Sequence, residues 1–129
     1  MTETHLRQID LPAPVAAYFA ASESGDPRAW SATLAEDAVV RDPVGAPEVR
    51  GRAAMFERLS GVLPLLAAFS GLQPDAVHPG GDSFAVSWHA TATTVAGKDL
   101  AWSGISIFTV GDGGLIAAMD TYFDASIFA

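Results

Sequence analysis

Two side chains in this sequence are of types that move protons, and both stand in settings that hold them still. Asp42 follows two β-branched residues and precedes a proline in "VVRDPVG" (39–45). A carboxylate there either ends a strand in ordinary turn chemistry or is held in place by that strand. Tyr18 lies in the Ala-rich stretch "VAAYFAASES" (15–24), where a tyrosine is either core with a locally satisfied hydroxyl or a hydrogen-bond donor. The chemistry that asks for such a pair is proton removal next to a carbonyl. The carbon acid is weak and its enolate high in energy, so the base must touch the carbon and be partly desolvated. Charge building on the carbonyl oxygen must meet preorganised donors in a dry site, each worth roughly 10²–10³ in rate. A phenol suits that task, because its acidity approaches that of the enol.

Other chemistries find little support. There is no cysteine, which excludes disulfides, thiol nucleophiles and Cys-based metal sites. The three histidines, His5, His78 and His89, stand apart with no ligand spacing and read as loop or strand residues. No metal and no cofactor is expected. The net charge is −8, and seven basic residues are scattered from Arg7 to Lys98. That balance argues against nucleic acid or an anionic membrane as main partner, since both need clustered cations. The longest apolar run, "VLPLLAAF" (62–69), is too short to span a bilayer and is broken by Pro64. "MTETHLRQID" (1–10) has no apolar signal core, so a soluble cytoplasmic protein is expected.

The elements that must position Asp42 and Tyr18 follow from the pattern. With 129 residues, half of them apolar and 17% charged, the chain is expected to form one domain over 1–129. Early prolines start a helix in "LPAPVAAYFAASESGD" (11–26) and Gly25 stops it. Asp26-Pro27 reads as the cap and first residue of a second helix over "RAWSATLAED" (28–37), with Trp30, Leu34 and Ala38 on its inner face. "AVVRDPVG" (38–45) is a short strand. A third helix covers "GRAAMFERLSGVL" (51–63), its stripe formed by Met55, Phe56, Leu59 and Val62. The second half is β-like, in "SFAVSWHATATTV" (83–95), "LAWSGISIFTV" (100–110) and "LIAAMDTYFDASIF" (115–128), with "VAGKD" and "GDGG" as hairpin turns. Helices followed by antiparallel strands predict an α+β fold: a curved sheet packed on three helices around a cone-shaped apolar pocket. Period-two alternation places Met119, Thr121 and Phe123 on one face, and Trp102, Ser106 and Phe108 together on another such row. The opposite row, Ser103, Ile105, Ile107 and Thr109, is apolar enough to need cover. The register of Trp88 and His89 is not set by the sequence, and neither is assigned to the pocket.

The block "VAAYFAASESGD" followed by "LAEDAVVRDPVGAPEVRGRAAM" is similar to ketosteroid isomerases, within the nuclear-transport-factor-2-like and SnoaL-like superfamily. The likeness is densest at Asp37-Ala38, Asp42-Pro43-Val44-Gly45, Gly51 and Ala53-Ala54, with Tyr18 correctly spaced from Gly25-Asp26. It extends over essentially the whole chain, in the β half by pattern more than identity. The resemblance implies that Asp42 is the general base and Tyr18 the oxyanion donor of a cofactor-independent isomerase, its best-matched substrate a 3-oxo-Δ5-steroid. It implies a pocket wall built from Leu59, Trp102, Phe108, Met119, Thr121 and Phe123. It also implies a homodimer through the outer sheet face.

The sequence departs from that family at its second oxyanion donor. Where the family carries an aspartic acid on the penultimate long strand, "GISIF" (104–108) places Ser106. A serine hydroxyl donates, but it is shorter and far less acidic than a neutral carboxylic acid, and can reach an oxygen through water. Arg58 and Leu59 stand where the isomerases tend to carry aromatics, so a tyrosine network supporting Tyr18 is not carried over. Two alternatives stand beside the isomerase. One is a SnoaL-like polyketide cyclase or tailoring enzyme using the same aspartate; the other is a non-catalytic binder of a hydrophobic carbonyl ligand. Epoxide hydrolysis needs an Asp-Arg-Asp cluster, for which Arg41, Asp42 and Asp120 supply only the residue types.

Overall fold

The computed structural model describes residues 10–128, so His5, Arg7 and most of "MTETHLRQID" lie outside the described residues. Helix α1 (Ala13–Ser24) begins behind Pro12, with proline again in its first turn, and ends where Gly25 turns left-handed at φ 69°. Glycine takes that conformation without a Cβ penalty, which is why the helix stops there. Its buried residues, Val15, Tyr18, Phe19 and Ser22, form one stripe at helical spacing. Helix α2 (Pro27–Ser31) is capped by the Asp26 carboxylate, which accepts from the Arg28 N–H at 2.9 Å.

Here the structure corrects the expected second helix, which ends at Ser31 rather than running to residue 37. The Thr33 hydroxyl donates back to the Trp30 carbonyl, and the Ile116 N–H donates to the Thr33 carbonyl, drawing the chain into a sheet. Strand β1 (Leu34–Arg41) then runs parallel to a distant strand. Leu34 and Ala38 are buried as expected, but from a strand with a register shift between Leu34 and Val39 that mimics helical spacing. Strand β2 (Val49–Arg50) pairs with β1, and α3 (Arg52–Val62) buries Met55 and Leu59.

A single 3₁₀ turn around Pro64 leads into β3 (Leu66–Phe69), followed by β4 (Gln73–Gly80). Neither strand is legible in the sequence. The apolar run at 62–69 is split between helix, turn and strand, and β4 contains Pro74 and Pro79. Prolines are tolerated there because β4 bonds only to β5 (Ser83–Thr94) and leaves its other edge open. β6 (Asp99–Val110) and β7 (Ile116–Tyr122) complete the sheet in the order β2-β1-β7-β6-β5-β3, with β4 also on β5. The expected final strand over 115–128 is shorter than read: it ends at Tyr122, and Ala125–Phe128 form a 3₁₀ turn. Among the described strands only the β1–β7 pairing is parallel. Register shifts in β1, β3, β4 and at the end of β6 help curl this mixed sheet strongly over the helices. Its concave face supplies Val86, Ala90, Leu100, Phe108, Ile116 and Met119 to the core. Among the described residues no helix is long and apolar enough to cross a membrane.

Candidate active site

The helices and the concave sheet face enclose a cavity of about 480 Å³ whose wall is mostly apolar. That volume suits a drug-sized ligand. Asp42 lies where β1 has just ended, at a cis peptide to Pro43, and both residues line the cavity. Pairing of Val40 with Met119 and of Arg41 with Asp120, together with the Val44 N–H donating to the Thr121 carbonyl, holds this corner against β7. Burial pushes the Asp42 carboxyl above the ordinary carboxylate range, and the Arg58 guanidinium pulls partly against it. Arg58 reaches from α3 and donates to the Asp42 backbone carbonyl. Among the described residues no donor hydrogen-bonds the Asp42 carboxylate itself, so its lone pairs are uncommitted.

Tyr18 reaches the same cavity from α1. Its ring is clamped edge-on by Phe108 at 5.1 Å, Phe19 at 5.5 Å and Trp30 at 5.7 Å. Each such pair is worth about 0.5–1.5 kcal/mol beyond its buried area, so the phenol is held without a hydrogen-bonded partner on its ring. Burial raises the phenol's pKa strongly and the Asp42 charge raises it further; Trp30 and Arg58 work the other way. The carboxylate and the phenol thus feel one another across one cavity.

Ser106 is buried on β6 and also lines the cavity. Its Oγ accepts from the Trp88 indole N–H at 3.0 Å and lies 2.8 Å from Thr121 Oγ1. Trp88 is therefore an unassigned residue that belongs to the site, while its neighbour His89 points outward to Asp75 at 2.9 Å. The cause is Gly104, which pairs with Trp88 across the hairpin. A Cβ at Gly104 would stand 2.7 Å from Trp88 Cζ2 and 2.5 Å from the Tyr122 carbonyl oxygen, so only glycine leaves room for the indole to lie across β6. Counting the hairpin outward from its turn, with a glycine opposite a tryptophan, is the sequence signal that identifies Trp88. One hydroxyl proton joins Ser106 to Thr121, which leaves the other hydroxyl's proton free for the cavity.

Of the expected pocket wall, Leu59, Trp102, Thr121 and Phe123 line the cavity. Phe108 and Met119 do not: both are fully buried behind it, Phe108 against Tyr18 and Phe19, Met119 paired with Val40. They share the inner face, as alternation requires, but other core side chains cover them, the rings of Tyr18 and Phe19 closing off Phe108. Arg58 and Trp30 are additional lining residues. Arg41 and Asp120 form an ion pair at 2.9 Å outside the cavity, with Glu48 on the same guanidinium, so an Asp-Arg-Asp cluster is not assembled inside it.

The family model of the SnoaL-like domain matches residues 15–119. The chain belongs to the SnoaL-like domain family. A steroid Δ-isomerase of Nocardioides simplex is 50% identical to this SnoaL-like protein over 48 residues, a stretch spanning 37% of this chain and 39% of that enzyme. Among solved structures, SalBIII, described as an epoxide hydrolase/cyclase-like enzyme in pyran ring formation in polyether salinomycin, superposes with a TM-score of 0.78. It is 25% identical, with 98% of this chain and 96% of that one covered. TerC co-crystallised with polyporic acid gives 0.75 at 20% identity, covering 90% and 92% of the two chains. RV0760c from Mycobacterium tuberculosis, solved with estradiol-17β-hemisuccinate, gives 0.78 at 18% identity, covering 89% and 94%. These likenesses establish the α+β cone: three helices on a strongly curled mixed sheet.

Proposed function

We propose that this protein is a cofactor-independent isomerase of a hydrophobic carbonyl substrate, best matched by a 3-oxo-Δ5-steroid. Asp42 removes a proton from the carbon between the carbonyl and the double bond. The electron pair delocalises onto the carbonyl oxygen, where Tyr18 donates a hydrogen bond. Asp42, now protonated, returns the proton to the γ carbon, giving the conjugated Δ4-ketone with no net gain or loss. The observation that carries this reading is one apolar cavity lined by both Asp42, with raised basicity and a free carboxylate, and Tyr18. The isomerase of Nocardioides simplex supports the substrate class.

A second reading is a SnoaL-like cyclase or related tailoring enzyme acting on a polyketide. Ser106 favours it: a hydroxyl tied to Trp88 and Thr121 replaces the acid that would meet a steroid oxyanion. The deciding assay follows the conjugated ketone in the ultraviolet from a 5-ene-3-ketosteroid, with Asp42→Asn as control. Turnover lost in a folded Asp42→Asn variant supports the isomerase. A variant as fast as the wild type refutes the mechanism, and tight binding of a phenolic enolate mimic with no turnover leaves only a binding protein.

The outer face of β6 and β7 exposes Ile105 (47%), Ile107 (36%) and Tyr122 (49%). We propose a second copy of this chain as its cover, giving a homodimer.

A further inference from the structure

Among the described residues one buried side-chain polar atom lacks a hydrogen-bond partner: the indole Nε1 of Trp30. Trp30 is 6% exposed, so bulk water does not compensate the loss. Native structures rarely keep such an orphan without a reason. The ring is fixed on two sides, stacked on Phe69 at an interplanar angle of 15° and edge-on to Tyr18 at 74°. Its N–H lies close enough to the Tyr18 hydroxyl to favour the phenolate, yet closes no hydrogen bond on it.

We propose that Trp30 is a positioning residue for the Tyr18 donor, its indole N–H unpaired at rest and closing onto the phenolic oxygen as Tyr18 shares its proton with a substrate oxyanion. The inference rests on Tyr18 acting as that donor. As the phenol gives up proton density, its oxygen becomes more negative and a better acceptor. An N–H unmet in the ground state is then met in the transition state, and interactions made only there raise kcat rather than tighten binding. Two opposing pressures make this donor useful. Burial and the Asp42 charge both disfavour negative charge on Tyr18. The cation that helps, Arg58, is already bonded to the Asp42 carbonyl. Trp30 touches the phenol side of the site and supplies the compensating dipole without a second ionisable group.

Trp30→Phe removes the N–H and keeps an aromatic ring against Phe69 and Tyr18. It should lower kcat about tenfold with KM within about twofold, and leave Tm unchanged or higher because the orphan is gone. Added to Tyr18→Phe, it should cost nothing more. Wild-type kcat in Trp30→Phe, or equal losses in both backgrounds, overturns the proposal. Trp30→His, which keeps a ring N–H, should recover part of the loss. A turnover-independent measurement separates this inference from the isomerase reading. On saturation with 2-naphthol, whose phenolic oxygen mimics the enolate, the Trp30 indole proton resonance should move downfield in wild type and far less in Tyr18→Phe. A resonance that holds its position in wild type overturns the proposal even where turnover exists, and one that moves supports it even where turnover is absent.

Discussion

Ser106 and Thr121 share one hydrogen bond, yet their loss should have unequal consequences. Ser106 accepts from the buried Trp88 N–H as well as contacting Thr121, whereas Thr121 contributes only its contact with Ser106. Ser106→Ala removes the shared bond, worth about 1 kcal/mol, and strands the Trp88 donor, which costs about 1–3 kcal/mol more. The sum, about 2–4 kcal/mol, lowers Tm by about 8–16 °C at roughly 4 °C per kcal/mol for a chain of this length. Thr121→Val leaves Trp88 bonded to Ser106 and frees the Ser106 proton for the cavity. Its cost is about 1 kcal/mol, or about 4 °C. Thermal unfolding followed by circular dichroism reads both variants. The same samples enter the 5-ene-3-ketosteroid assay, where Thr121→Val should stay near wild type. Ser106→Ala should fall about tenfold, less than the 10²–10³ of a primary oxyanion donor. If Thr121→Val unfolds as early as Ser106→Ala, or is the slower enzyme, the proton count across this trio is wrong.

Burial raises the Asp42 pKa, so kcat/KM should fall as pH drops through that raised value; Arg58→Met, removing the opposing cation, should move this acid limb to higher pH. The same shift destabilises the ionised fold, because the unfolded chain ionises Asp42 at lower pH. Asp42→Asn should therefore raise Tm at pH 7, with a gain that shrinks as pH falls toward the ordinary carboxylate range, and an Asn variant less stable at pH 7 would contradict the burial argument. Gly104→Ala should cost about 1–3 kcal/mol by overpacking and displace the Trp88 indole from Ser106, visible as a shifted Trp88 indole resonance; an unshifted resonance at wild-type Tm speaks against it. Ile105→Glu on the outer face should convert the proposed dimer to monomer in sedimentation analysis while leaving the fold intact, and a wild-type monomer removes that proposal.

Much of the candidate site was legible because local chemistry placed its residues. Asp42-Pro43 after two valines, Tyr18 on an Ala-rich helix stopped by Gly25, and Ser106 in an alternating strand all stand where their immediate neighbours direct them. The long strands β5 and β6 were legible for the same reason: each sustains a β-branched and aromatic composition over twelve residues. What local pattern could not supply was pairing. Leu34 and Ala38 read as helix because a strand with a register shift reproduces helical spacing, and only the parallel contact with β7 decides between them. β3 and β4 were invisible because prolines and a short apolar run form strands only when β5 offers an edge.

The sequence by itself supplied the residue types of the candidate site, the family through the block around Asp42, and the split into helices and sheet, which rests on propensity, turns and alternation. Tertiary structure decided how the site is wired. Gly104 makes room for Trp88, Trp88 engages Ser106, Arg58 braces Asp42, and Trp30 is left with an unmet donor beside Tyr18. Each of these depends on which side chains meet across elements far apart in the chain. Packing also kept Phe108 and Met119 out of the cavity, with Tyr18 and Phe19 covering Phe108, since alternation fixes a face but not which of its residues stay uncovered.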